Sequence, residues 1–81
     1  MKTKRYSKEN LVFARREDGN KYLIYSAKTR GVHIVSEKIY KVWKKCNSSL
    51  VSEIYQKTKF SKEDIKKILL LLQKRDLIKI D

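Results

Sequence analysis

Hydrophobic residues form short strand-like runs in the first part of the chain and helix-spaced stripes in the rest. The runs are rich in β-branched and aromatic residues and predict strands at Leu11–Ala14, Tyr22–Tyr25 and Val32–Val35. Between the first two runs, Asp18-Gly19 is a strong hairpin signal, and Lys28–Gly31 predicts a second turn. We therefore expect a three-stranded antiparallel meander.

Three helices are expected after the last strand, at about Ser36–Cys46, Ser49–Thr58 and Ser61–Arg75. Each begins with a serine whose hydroxyl can accept a hydrogen bond from the free N–H groups of the first turn. The fold class predicted from this order is α+β, a three-stranded antiparallel sheet followed by three helices, with the shape of a winged helix–turn–helix.

A chain of 81 residues is long enough for one small domain. We place this domain at residues 9–81 and expect residues 1–8, which are rich in lysine and arginine, to be a flexible basic arm. The closing run Leu77–Ile80 is expected to be a short extended tail packed on the core.

The third predicted strand lacks the residues that usually protect a sheet edge. Its sequence, Gly31–Val35, contains no Lys, Arg, Glu, Asp or Pro, whereas such residues normally prevent an edge strand from pairing with another chain. The first strand is guarded by Arg15, Arg16 and Lys8. The third strand is therefore predicted to be the edge at which another chain pairs.

The third predicted helix carries two more apolar residues than its inward stripe requires. Ile65, Ile68 and Leu69, with Leu72, already define that stripe, yet Leu70 and Leu71 are also apolar. We expect at least one of the pair to pack on the sheet or the tail. The other would line a groove beside the third strand.

Composition limits the classes of partner and site. The formal net charge is +12, which favours an anionic partner (nucleic acid, an acidic peptide or a membrane surface) or reflects a generally lysine-rich composition. A single cysteine excludes a disulfide framework and fits a reducing cytosol. No apolar run approaches the roughly 20 residues of a membrane span. We also expect residues 1–6 not to be a signal peptide, because no apolar region follows their charges. A cytoplasmic protein is expected.

Residues that could support catalysis are sparse. His33 is the single histidine, and no second metal ligand is near it in sequence. Cys46 belongs to an apolar helical stripe, and Glu63 and Asp64 are placed where carboxylates favour a helix dipole. We expect a non-catalytic protein with no cofactor and no metal.

Two binding hypotheses remain open. In the first, the second and third helices bind DNA, with Lys62, Lys66, Lys67, Lys74 and Arg75 meeting phosphates. In the second, an extended peptide adds a strand to Val32–Val35, and its alternate side chains enter the groove toward the third helix. Leu70 or Leu71 would then give apolar contact, and nearby lysines would attract acidic residues of the peptide.

A family resemblance supports the second hypothesis. The run Gly31–Trp43, the segment Leu50–Ile54 and the closing run Leu69–Ile78 resemble the PqqD-like family, the RiPP recognition elements. The resemblance covers roughly residues 9–80 and is carried by hydrophobic patterns.

This resemblance implies a domain that captures the leader of a ribosomally made precursor peptide. Because of the nearby lysines, we expect acidic residues in that leader. The domain would deliver the leader to a modifying enzyme such as a radical SAM protein, a leader peptidase or a cyclase. Nucleic acid is the alternative partner, and no membrane is expected. The residues implied in peptide binding are Val32, His33, Ile34 and Val35 on the strand, and Lys67, Leu70, Leu71 and Lys74 on the third helix.

Overall fold

The computed structural model describes residues 4–17, 19 and 21–80. In this part of the chain there are five strands and three helices, in an order that confirms the predicted fold class. They are β1 (Tyr6–Lys8), β2 (Val12–Arg16), β3 (Lys21–Ser26), β4 (Gly31–Ser36), α1 (Glu37–Lys44), α2 (Val51–Thr58), α3 (Lys62–Lys74) and β5 (Ile78–Ile80).

The three predicted strands form one antiparallel sheet in the order β2-β3-β4. At its first turn, the Glu17 N–H donates to the Lys21 carbonyl over 2.9 Å. Gly19 lies in this turn with φ of 66°, a left-handed conformation that glycine adopts without a Cβ penalty. Asp18, the other half of the predicted turn signal, lies outside the described residues.

Two of the three predicted serine caps are present. The Ser36 hydroxyl accepts from the Ile39 N–H at the start of α1, and the Ser61 hydroxyl accepts from the Asp64 N–H at the start of α3. Each satisfies one of the free donors of a first helical turn, which fixes where the helix begins.

The predicted cap at Ser49 is wrong. With Ser49 as its cap, α2 would begin at Leu50. It begins at Val51 instead, and the Glu53 side chain accepts from the Leu50 N–H over 2.8 Å. Ser49 is buried instead, and its hydroxyl donates to the Lys45 carbonyl over 2.8 Å. The serine therefore closes the end of α1 rather than opening α2.

The two ends of the chain pair with each other, which corrects the prediction of a flexible arm over residues 1–8. β1 pairs antiparallel with β5, and on its other side Tyr6 exchanges two backbone hydrogen bonds with Ser49, of 2.8 and 3.0 Å. Tyr6–Lys8 is thus held between β5 and the α1–α2 loop. Met1–Thr3 lie outside the described residues.

Lys8 is likewise fixed, and it does not guard the edge of β2. Its ammonium group donates to the Lys44 carbonyl over 2.9 Å and to the Asn47 side-chain oxygen over 2.8 Å. It also lies 5.2 Å from the centre of the Trp43 ring. The cation therefore stabilises the C-terminal end of α1.

The helices cover one face of the three-stranded sheet, and the core lies between the two layers. The predicted packed tail is confirmed, because Leu77 and Ile78 are buried and the Trp43 ring N–H donates to the Leu77 carbonyl over 3.2 Å. The buried apolar residues are Ile24, Val35, Val42, Trp43, Cys46, Ile54, Ile65, Ile68, Leu69, Leu72, Leu77 and Ile78.

Candidate functional site

The β4 strand lies at an edge of the sheet. It pairs with β3 along its whole length, and no other segment among residues 4–17, 19 and 21–80 pairs with its outer side. The opposite edge is β2, which carries Arg15 and Arg16. Because β4 itself has no charged residue, it is the less protected of the two edges.

Hydrogen bonds flanking the β2–β3 ladder show which backbone groups of β4 are available. The Ala27 N–H donates to the Leu11 carbonyl, and the Glu17 N–H donates to the Lys21 carbonyl. Along an antiparallel ladder, residues that bond to a given neighbour alternate with residues that do not. The odd-numbered residues of β3 therefore bond to β2, and its even-numbered residues bond to β4.

The register then assigns each residue of β4. Gly31, His33 and Val35 lie opposite the even-numbered residues of β3, so their N–H and C=O groups are used within the sheet. The N–H and C=O groups of Val32 and Ile34 point away from β3 toward the open side. Two residues, rather than the four predicted, offer main-chain hydrogen bonds to an added strand.

Side chains along β4 alternate between the two faces of the sheet. Val32 and Ile34 are 55% and 67% exposed, on the face away from the helices. Val35 is part of the core, and His33 is half-buried on the helix side. An added strand would follow the same alternation, because directly opposite residues place their side chains on the same face.

One flank of α3 faces the open edge. At its end, an Arg75 guanidinium nitrogen lies 3.3 Å from His33 Nδ1, and near its start the Lys38 ammonium lies 2.7 Å from an Asp64 carboxylate oxygen. Leu71 is half-buried and precedes Arg75 by four residues, so the two share this flank. We name Val32, His33, Ile34, Leu71 and Arg75 the edge site.

The edge site favours an anion on the helix side of β4. Burial, and secondly the Arg75 charge, lower the pKa of His33 below its ordinary value, so at neutral pH the imidazole is uncharged and can accept from the guanidinium. Within the described residues no carboxylate lies within salt-bridge distance of Arg75. A carboxylate of a bound chain would find an unneutralised cation there.

Leu70 lies on the other flank of α3, away from β4. With Lys66, one turn earlier, it lines a pocket of about 630 Å³. The remaining lining residues come from the N-terminal segment and the start of α2: Lys4, Tyr6, Leu50, Val51 and Ser52. Leu70 therefore does not join the edge site, and Leu71 is the leucine that does.

Lys67 and Lys74 lie on the turns before and after Leu71, and both are exposed. The Lys67 ammonium is 3.7 Å from the Glu63 carboxylate on the same helix. Both lysines border the edge site on its solvent side. Arg75 was not among the predicted peptide contacts, although its four-residue spacing from Leu71 would have placed it there.

The residues considered for catalysis have structural surroundings. Burial raises the pKa of the Cys46 thiol to about 12, and its Sγ donates to the Val42 carbonyl. The hydrogen bond and charge of Lys38 lower the pKa of Asp64. In the described ranges no group of three His, Cys, Asp or Glu side chains could hold a metal ion.

The comparisons with known proteins leave the family open. The chain matches no protein-family model, and no curated protein is significantly similar to it. As for membranes, none of the helices described is both long and apolar enough to cross one.

Proposed function

We propose that this protein is a non-catalytic peptide-binding module that captures an extended peptide as a fourth strand on β4. The observation that supports this most directly is the edge itself. Val32 and Ile34 direct two N–H and two C=O groups to the open side, and both side chains are exposed. Strand addition uses such groups for affinity and alternate side chains for specificity.

The edge site favours a definite pattern in the peptide. Residues opposite Val32 and Ile34 would pack their side chains with these two, so apolar residues are favoured there. The residue between them would lie opposite His33, on the helix side, where Arg75 is close and Leu71 lies one turn before Arg75 on the same flank. An acidic residue is favoured at that position, so we expect apolar anchors two residues apart with a carboxylate between them.

The family resemblance suggests a biological role for this binding. In the finer form of the proposal, the peptide is the leader of a ribosomally synthesised precursor. The module would present it to a modifying enzyme such as a radical SAM protein, a cyclase or a leader peptidase. A short precursor gene beside the gene for this chain would supply the peptide to test.

Proline substitutions at the two edges test strand addition. Ile34→Pro removes an outward N–H and places the ring where a visiting strand would lie, without breaking the β3–β4 ladder. Ala14→Pro is the matched control, because the Ala14 N–H points outward from β2 in the same way. Both variants should keep the wild-type circular dichroism spectrum.

Peptides are first selected from a random display library on the wild-type chain and then titrated by fluorescence anisotropy. We expect Ile34→Pro to weaken binding by at least about tenfold and Ala14→Pro to leave it unchanged. Equal affinity for wild type and a folded Ile34→Pro variant would contradict the proposal. Loss in Ala14→Pro instead would move the site to β2.

DNA binding through α2 and α3 is the alternative, and two observations weigh against it. In the described part of the chain, α3 is followed by β5, which pairs with β1 rather than forming a wing hairpin. Leu70 is 59% exposed on the outer part of α3, where a reading helix needs polar side chains. A salt titration separates the two, because DNA affinity falls steeply with salt concentration.

A further inference from the structure

The outer face of the three-stranded sheet is apolar although none of the described helices covers it. Four large side chains are exposed there: Phe13 (57%), Tyr25 (36%), Val32 (55%) and Ile34 (67%). The face of an antiparallel sheet that meets water is normally polar. This face therefore requires an explanation beyond the fold.

The strand register makes these residues one continuous surface. Phe13 lies opposite Tyr25, and Tyr25 lies opposite Val32, so one row crosses all three strands. In the next row, half-buried Leu23 lies opposite Ile34. We name these five residues the outer patch. Its exposed area, several hundred Å², is on the order of the largest patches on monomeric proteins, which are often functional.

The border of the outer patch is positively charged. Arg15 extends the second row on β2, and Lys21 begins β3. The exposed residues Lys28 and Arg30 lie in the turn between β3 and β4. Against these four cations stands one described carboxylate, Glu17, which is 3.1 Å from Arg15. A complementary surface must be apolar at its centre and acidic at its border.

A second copy of this chain does not meet that requirement. Each copy carries a net charge of +12, so two outer patches would bring like-charged borders together. The charge therefore favours a different, acidic protein.

We infer that the outer patch is a docking surface for a partner protein that presents an apolar area bordered by carboxylates. Val32 and Ile34 belong both to the patch and to the edge site. A peptide strand on β4 would add its apolar side chains to both rows of the patch, so peptide and partner should each strengthen binding of the other. This coupling rests on the proposed function, whereas docking on the patch does not.

Photo-cross-linking from two exposed aromatic positions tests the inference. In the producing cells, p-benzoylphenylalanine replaces Phe13 in one version and Tyr55, which is 38% exposed on α2, in the control. We expect an adduct from position 13 alone, with an acidic protein identified by mass spectrometry. Once purified, that protein should bind wild type and Tyr55→Ser equally, and Phe13→Ser at least about tenfold more weakly. Added salt should weaken the binding.

Four results would overturn the inference: no adduct, the same adduct from both positions, an adduct between two copies of this chain, or a purified protein indifferent to Phe13→Ser. Phe13-dependent binding to vesicles of equal parts phosphatidylcholine and phosphatidylserine would assign the patch to a membrane instead, and would also overturn it.

Docking and peptide capture can fail separately. Phe13 lies on β2, two strands from the open edge, so Phe13→Ser should leave peptide binding unchanged. If Ile34→Pro retains peptide affinity while docking depends on Phe13, the proposed function fails and the docking surface stands. If docking fails while peptide binding depends on Ile34, the docking surface fails alone.

Discussion

The chemistry of the edge site depends on a few side chains whose roles come from their neighbours. His33 lies against Arg75 and close to Gly31, where an added Cβ would lie 3.1 Å from the imidazole Nε2. Glycine at this position therefore leaves room for the ring. His33 and Arg75 are 42 residues apart in sequence, which is why their contact could not be predicted from the sequence.

The lowered pKa of His33 gives a pH dependence with a definite sign. The unfolded chain takes up this proton near the ordinary pKa of 6.5, before the folded chain does. We expect the histidine's contribution to stability to be present above pH 6.5 and lost as the pH falls below it. Urea unfolding at pH 7.5 and 5.5 measures this loss, which should be small because the ring is half-exposed.

His33→Asn is the control for this pH dependence. Wild type should lose more unfolding free energy than His33→Asn between the two pH values. An equal loss in both proteins would show that the pKa of His33 is not lowered in the folded protein.

Cys46 should be unreactive in the folded protein. Its thiol is buried and its pKa is raised to about 12, so little of the nucleophilic thiolate is present near neutral pH. We expect iodoacetamide at pH 8 to modify it at least about 100-fold more slowly than in the urea-unfolded chain. Mass spectrometry measures the rate of alkylation. Rapid alkylation of the folded protein would contradict the buried position of Cys46.

At the scale of elements, long periodic segments and the extended tail at Leu77–Ile80 could be predicted, whereas the pairing of that tail with the N-terminal segment could not. The three helices and the three-stranded sheet follow from apolar spacing and turn residues. β1 and β5 are three residues each, too short to show a period, and each is stabilised by a partner at the other end of the chain. The cap at Ser49 was predicted wrongly for the same reason. Ser49 forms backbone hydrogen bonds with Tyr6 of β1, and β1 is too short to be predicted.

The β1–β5 pairing makes the N-terminal segment part of the fold. Deleting residues 1–8 removes the hydrogen bonds to β5 and Ser49 and uncovers Ile78. At about 1 kcal/mol for each hydrogen bond, we expect a loss of about 2–4 kcal/mol of unfolding free energy. Urea denaturation measures the change, and deletion of residues 1–4, which keeps β1, is the control. No loss would mean that the segment is a free arm after all.

At the scale of the whole molecule, the described helices cover one face of the sheet and leave open its other face and the uncharged edge at β4. The edge could be predicted, because the absence of charged residues in Gly31–Val35 is visible in the sequence. Which of Leu70 and Leu71 joins the edge site could not be predicted, since the answer depends on which flank of α3 faces β4. The outward direction of the Val32 and Ile34 backbone groups could not be predicted either. Which residues of β4 bond to β3 is known only from the register of the two strands.

Amide hydrogen exchange of the peptide-bound protein, followed residue by residue by NMR, tests strand addition most directly. At saturation with a selected peptide, we expect the Val32 and Ile34 amides to become protected from exchange. The outward amides of Val12 and Ala14 on β2 should exchange as they do in the unbound protein. A saturated complex in which Val32 and Ile34 still exchange at their unbound rates would contradict capture of the peptide by β4.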